Sequence, residues 1–246
     1  MTEEIKFWKK KYFTMLAGQS ISLITSGILQ MSIIFYLTAK TNSAMVLSLA
    51  TLIGFLPQAI IGPFAGTFVD RHSRKGVMIG ADLMIAATGG LLAIASIFME
   101  LPTWLIMLVL FIRSIGTAFH SPASSAVTPL MVPQDQLTKC AGYNQTILAA
   151  VSIISPAAAA FLYSIWQLSH IIMLDMVGAI LACGIVAVIS IPNPPIYTDK
   201  AKNSFARDMK DGYKELKKNE GLFTLLWIGT AYMFFYMPIS ALFRFL

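Results

Sequence analysis

Charged side chains that stand inside long apolar stretches are the residues of this sequence best placed to do chemistry, and Asp82, Arg113 and Asp175 are in that position. Arg113 falls about eleven residues into its stretch, near the middle of a bilayer at about 1.5 Å per residue. An arginine at that depth costs roughly 2.5–3.5 kcal/mol to insert, which apolar neighbours such as Leu105, Ile106, Leu108, Val109, Leu110, Phe111 and Ile112 together offset. Arg113 must then face water or a carboxylate. Two outcomes are open: a structural ion pair with Asp82 or Asp175, or a cavity-facing charge that handles ions or substrate and couples charge movement to conformation.

Uncharged polar residues extend this set. Gln19, Ser22, Ser26 and Gln30 recur at steps of three and four, so one face of a helix carries them all. Such a stripe needs protein or a wet cavity beside it. The small hydroxyls of Ser22 and Ser26 read as packing contacts between helices, whereas the bulkier Gln19 and Gln30 suit a cavity. Asn144 and Gln145 fit either role. The candidate cavity residues are therefore Gln19, Gln30, Arg113, Asn144 and Asp175. His72, His120 and His170 fall near the ends of apolar stretches, where interfacial histidines are ordinary, and none is assigned a proton relay. The sequence carries no paired catalytic carboxylates, metal-ligand spacing, nucleophile motif or phosphate loop, so neither an enzyme nor a metal or cofactor is expected. Cys140 and Cys183 show no disulfide pattern.

The elements that must position these residues follow from composition. Of 246 residues, 57% are hydrophobic and 12% charged, against about 25% charged in an average soluble domain. A water-soluble globule of this size could not bury so much apolar surface. Apolar stretches at 12–37, 44–69, 77–98, 103–119, 141–166, 171–191 and 222–246 predict transmembrane helices. The fourth is short because His120, Pro122 and several serines dilute its end. The first is too long for a signal peptide and lacks a convincing cleavage site. Trp8, Trp104, Trp166 and Trp227 mostly flank the stretches, as interfacial anchors do.

The net charge of +6 is spread over several short loops, which excludes a nucleic-acid surface. With the N-terminus in the cytoplasm, Lys6, Lys9, Lys10, Lys11, Arg71, Arg74, Lys75, Lys139 and the basic residues from Lys200 to Lys218 lie inside, and Lys40 alone lies in an outside loop. That asymmetry sets the orientation. The organisation expected is a six-span bundle over 1–191, a cytoplasmic linker over 192–221 and a seventh span over 222–246. In the linker, Phe205, Met209, Tyr213 and Leu216 alternate at helical spacing with Arg207, Lys210, Asp211, Lys214 and Lys218, behind a Ser204 cap. This predicts a helix lying on the membrane face, and the pattern selects neither a connector nor a regulatory role.

The loop after the second stretch reads Gly66-Thr-Phe-Val-Asp70-Arg71-His72-Ser73-Arg74-Lys75. It resembles the Gly-x-x-x-Asp-Arg-x-Gly-Arg-Lys signature of the major facilitator superfamily, with Ser73 where the family usually has Gly. Gly66 and Asp70 share a helix face; Gly66 permits close contact, and Asp70 at a helix C-terminus needs a cationic or N-terminal partner. Arg113-Ser-Ile-Gly116 resembles the fourth-span arginine motif, its Gly one residue early. Val151-Ser-Ile-Ile-Ser155-Pro156-Ala-Ala-Ala159-Ala160 resembles the fifth-span antiporter motif, with Val, Ser and Ala replacing glycines, so helix contact through small residues persists at three of four positions. The segments 16–25, 111–122, 137–143 and 221–243 are similar to the bacterial macrolide-efflux proteins of this superfamily.

The resemblance implies an all-α integral membrane protein of the bacterial inner membrane, holding the six-helix N-terminal bundle of the major facilitator fold plus one additional transmembrane helix. It further implies proton-coupled efflux of a large amphipathic drug by alternating access, with macrolides as the substrate class and drug, protons and lipid bilayer as partners. Gly66, Asp70, Arg71, Arg74 and Lys75 would form a cytoplasmic latch that Asp135 joins. A complete transporter of this kind has two six-helix bundles around a midplane site. The 246-residue chain is then a half-length protein, expected to insert but not to pump without a C-terminal half or second chain; a truncated, non-transporting bundle is the alternative.

Overall fold

The computed structural model describes residues 2–191, 214 and 216–243, with side chains described for 8–191, 214, 216–219 and 221–232. The expected linker helix from Ser204 to Lys218 and the terminal Arg244 lie mostly or wholly outside that set. The chain divides into two compact units, Met1–Ile196 and Tyr197–Leu246.

The first unit contains α1 (Thr2–Thr41), α2 (Ala44–Arg71), α3 (Arg74–Phe98), α4 (Thr103–Met131), α5 (Leu137–Ile165) and α6 (Leu168–Val188). All are long and apolar enough to cross a bilayer, and the chain is an all-α membrane protein. The turns between them are short and chemically specified. Asn42 takes a positive φ of 49°, a conformation its side chain tolerates, and Ser43 then caps α2 by accepting from the Val46 amide. Ser73 caps α3 the same way, accepting from Gly76 N at 3.2 Å. This explains why a serine can replace the usual glycine of the loop motif: the position is an extended N-cap with a φ of −60° and needs no left-handed freedom.

One expectation about length is corrected. The fourth apolar stretch was expected to end at 119, but α4 continues through Pro122 and Pro129 to Met131. Each proline removes one backbone donor, yet packing against neighbouring helices sustains the helix at membrane depth. His120 is consequently a mid-helix residue.

Packing follows a symmetric plan. α1 packs against α5 and α6, α4 packs against α2 and α3, and α3 meets α6. Exchanging α1 with α4, α2 with α5 and α3 with α6 leaves that set of contacts unchanged. Because each short turn reverses direction, the two triplets run oppositely and form an inverted repeat. Two close approaches obey the same exchange. A Cβ on Gly18 of α1 would lie 2.8 Å from Ile185 Cδ1 of α6, and one on Gly116 of α4 would lie 2.7 Å from Ile85 Cγ1 of α3. Two apolar cores result. One gathers Ile33, Leu37, Leu92, Ile106 and Ile171 toward the end of the bundle with the 42–43 turn, and the other gathers Tyr12, Val69, Met78, Val127 and Val186 toward the end with the 72–73 turn. The buried polar residues Gln19, Thr25, Asp82, Arg113, Ser114 and Asp175 belong to neither cluster.

The second unit is described through α7 (Glu220–Phe243), where the expected seventh span falls. Asn219 Oδ1 accepts from Leu222 N at 3.4 Å and caps it.

Candidate functional site

The polar residues between the two apolar cores form the candidate site. Arg113 Nη1 of α4 donates to Asp175 Oδ2 of α6 at 2.6 Å. Ser26 Oγ of α1 donates to Asp175 Oδ1 at 2.7 Å and accepts from Arg113 Nη2 at 3.4 Å. The fourth wall is α3, where a Cβ on Gly89 would stand 3.9 Å from Arg113 Nη1. Gly178, one turn beyond Asp175, presents no side chain to Thr25, which lets α1 approach α6 closely enough for the Ser26 bond. Arg113 is 7% exposed and Asp175 1% exposed. One charge-assisted hydrogen bond between the two charges and a hydroxyl bridging both give each buried group a partner.

Of the two carboxylates open to Arg113, Asp175 is therefore its partner. Asp175 is buried, its carboxylate held between the arginine and the serine. Ser26 was expected to serve packing, yet it joins the charged cluster. The available signal was depth, since Ser26 and Arg113 both stand near the centres of their stretches.

Asp82 forms a second, different pair. Its Oδ1 lies 3.3 Å from His120 Nε2, in a contact whose geometry is not that of a hydrogen bond, and its Oδ2 has no hydrogen-bond partner. Sequence reasoning placed His120 at an interface because it ended the fourth span too early; periodicity carried past Pro122 would have found it.

The remaining candidates are dispersed. Gln19 is buried with its Nε2 unpartnered, and Gln30 is half-buried with its Nε2 near the α2 backbone at Gly54. Asn144 is half-buried on α5. None joins the Arg113 cluster through a hydrogen bond. On α5, Ser155 and Ala159 are buried, Ser155 against Gly27 of α1, and Pro156 is half-buried. Ala160 is exposed, so the small-residue contact uses two positions one turn apart instead of three.

At the loop motif, Arg74 Nη2 lies 3.7 Å from Asp70 Oδ1, and Arg74 Nη1 donates to Ala126 O at 2.9 Å. Lys75 Nζ donates to Ala187 O at 2.7 Å and Ile189 O at 2.9 Å, tying α3 to the end of α6. Arg71 closes α2, next to Asp70. Two expectations change here. Asp135 accepts from Gln136 Nε2 at 2.8 Å and does not join Arg74, because the turn at Gln134–Gln136 holds its carboxylate locally. Gly66 supports no close contact within the bundle, since a Cβ there would meet nothing within 4 Å.

Six antiparallel membrane-spanning helices, arranged as two inverted triplets around a buried arginine–aspartate pair, define a multi-pass membrane protein of the repeat-built kind. The family model for the Major Facilitator Superfamily matches residues 15–246, and the chain belongs to that superfamily. It is similar to macrolide efflux protein A of Streptococcus pyogenes, with 58% identity over 241 residues that cover 98% of this chain and 60% of that protein. A protein of the same name from Enterococcus faecalis is 56% identical over 202 residues, covering 82% of this chain and 62% of the relative. The uncharacterized MFS-type transporter YkuC of Bacillus subtilis is 26% identical over 216 residues, 87% of this chain and 48% of the relative. The chain thus spans about 60% of the length of the macrolide efflux proteins it matches.

Proposed function

We propose that this chain is the first bundle, with the start of the second, of a transporter that expels large amphipathic drugs, macrolide antibiotics among them, by alternating access driven by the proton gradient. The observation that carries the reading is the 58% identity to a macrolide efflux protein across 98% of the chain. The geometry supports it. The hydrogen-bonded Arg113–Asp175–Ser26 cluster ties α1, α4 and α6 together, as a bundle that rocks as one body requires. Gln19, Gln30 and Asn144 then belong to the substrate side.

α2 and α5 pack within the bundle on one side. They leave Leu52, Phe55 and Ile60 of α2 and Ile153, Ile154 and Phe161 of α5 exposed, with Gly62 and Gly66 open to close approach. A second bundle fits those faces, with Asp70 of the latch meeting a helix start there. The setting is the bacterial cytoplasmic membrane with the N-terminus inside.

The test is accumulation of labelled macrolide in a susceptible, pump-deficient bacterium expressing the protein as its gene encodes it. Lowered accumulation that a protonophore restores is expected; unchanged accumulation at normal membrane abundance overturns the reading. Orientation is tested separately with an impermeant thiol reagent on intact cells. The native Cys140 is 2% exposed and makes a poor reporter, so Lys139→Cys and Asn42→Cys are compared in a background lacking Cys140 and Cys183. Labelling at position 42 alone is expected, and labelling at position 139 alone reverses the topology.

A further inference from the structure

We propose that Asp82 and His120 form a proton-binding site inside the bundle, holding one proton between them while α3 and α4 are packed and exchanging it with water when the two helices part. The proposal rests on the proton-driven reading above and deepens it by naming the residues that carry the proton.

The surroundings leave Asp82 with a single counter-charge. Asp82 is 4% exposed. From α4, His120 bears on it, with Nε2 3.3 Å from Oδ1, while the other charge of that helix, Arg113, is engaged by Asp175 and Ser26. α6 carries Asp175, whose carboxylate is taken up by Arg113 and Ser26, and the neutral thiol Cys183. α2 brings no titratable side chain before Asp70 and Arg71 at its end. With no proton, the pair is a lone buried carboxylate; with two, a lone buried imidazolium. Both are unpaired charges in a medium that penalises them heavily. One proton makes the pair electrically neutral, so the packed bundle holds one, and the titration belongs to the pair and not to either residue.

The contact is unlike a structural hydrogen bond. Asp82 Oδ2 and His120 Nε2 are both buried and without a hydrogen-bond partner, an arrangement that a purely structural pair would be expected to avoid. It is tolerable where the alternative state rehydrates the groups. The fold supplies the room. A groove of about 510 Å³ between α2, α3 and α4 is lined by Ala81 and Phe119, the immediate neighbours of Asp82 and His120, and by Gly80, Met84 and Ile115, and it runs to His72 and Ser73 at the turn before α3. Movement of α3 away from α4 along that groove would bring water to the pair from the side of the 72–73 turn. The proton then leaves the carboxyl as hydronium, giving carboxylate and neutral imidazole, with no change of oxidation state.

The test uses membrane vesicles bearing the protein as its gene encodes it, with two assays. Uphill macrolide transport driven by an imposed pH gradient needs net proton exchange, whereas exchange of labelled for unlabelled macrolide at equal concentrations does not. Asp82→Asn and His120→Gln are expected to abolish uphill transport, to retain macrolide exchange, and to remove the pH dependence of that exchange. Uphill transport retained at the wild-type level in both variants overturns the proposal. Loss of exchange together with uphill transport in both also overturns it, in favour of a packing role. Wild-type transport indifferent to the pH gradient would defeat the proton-driven reading itself, an outcome seen without any variant.

Discussion

The two buried charge pairs of this bundle sit between the same apolar cores but are built in opposite ways. Arg113 and Asp175 meet at 2.6 Å through a forked guanidinium, with Ser26 bridging from a third helix. Asp82 and His120 stand 3.3 Å apart on neighbouring helices, with a carboxylate oxygen and a ring nitrogen left unbonded. Arginine stays charged at any relevant pH, so its partner must be an anion at all times and the pair can be fixed permanently. Histidine can be neutral, so its partner need not always be charged. One pair can hold helices together in every state; the other can change its charge when its surroundings change.

The sharpest way to break the contrast is a pair of single and double variants at Arg113 and Asp175. Asp175→Leu leaves a buried guanidinium without a carboxylate and is expected to cost about 3–5 kcal/mol, read as lost thermal stability in detergent and lower membrane abundance. Arg113→Met combined with Asp175→Leu should recover most of that loss, because neither charge is then buried alone. A double variant as unstable as the single one would deny that the two charges are coupled.

The bridging serine comes next. Ser26→Ala removes a hydrogen bond to a charged carboxylate, and a loss of about 1.5–3 kcal/mol is expected on the same thermal measurement. Ser22→Ala, one turn earlier on α1, is the control and should have a smaller effect, as no side-chain hydrogen bond from its hydroxyl to the cluster exists. Equal effects would mean that Ser26 acts by packing alone.

Gly178 sharpens the geometry of that bridge. A methyl group there meets the Thr25 side chain, and overpacking of this kind costs about 1–3 kcal/mol. Gly178→Ala should therefore weaken the α1–α6 contact, and adding Ser26→Ala should cost less in that background than in the wild type. Strict additivity would separate the two features.

The smallest effect is expected at the second pair. Asp82→Asn keeps the shape of the side chain and gives up no well-formed hydrogen bond, so the cost is expected to stay within about 1 kcal/mol, the net worth of one such bond. Thermal stability should hardly move. A loss as large as that of Asp175→Leu would make the two pairs alike.

Much of the fold was legible before any coordinates. Apolar stretches of membrane length must form helices, because an unpaired backbone group in a bilayer has no water to turn to. Short turns such as Asn42–Ser43 and His72–Ser73 then make consecutive helices run in opposite directions. The sequence also marked Arg113 as a residue needing a partner, from insertion cost alone. Helix ends are less legible: His120, Pro122 and several serines dilute the apolar pattern at a point where the tertiary packing of α4 carries the helix on. That misplacement hid His120 from view.

What the sequence could not decide was which buried groups meet. Asp82 and Asp175 were equivalent candidates for Arg113, since each is one carboxylate in one apolar helix. The choice depends on helix rotation and on close approaches at Gly89 and Gly178, which bring α3 and α6 to the arginine and α1 to the aspartate. These are contacts between residues as far apart in sequence as Ser26 and Asp175. Hydropathy and local propensity report a helix's depth and its ends, and they contain no term for which face turns toward which neighbour. Only the packed bundle fixes that rotation, and with it the assignment of one carboxylate to a permanent cation and the other to a histidine.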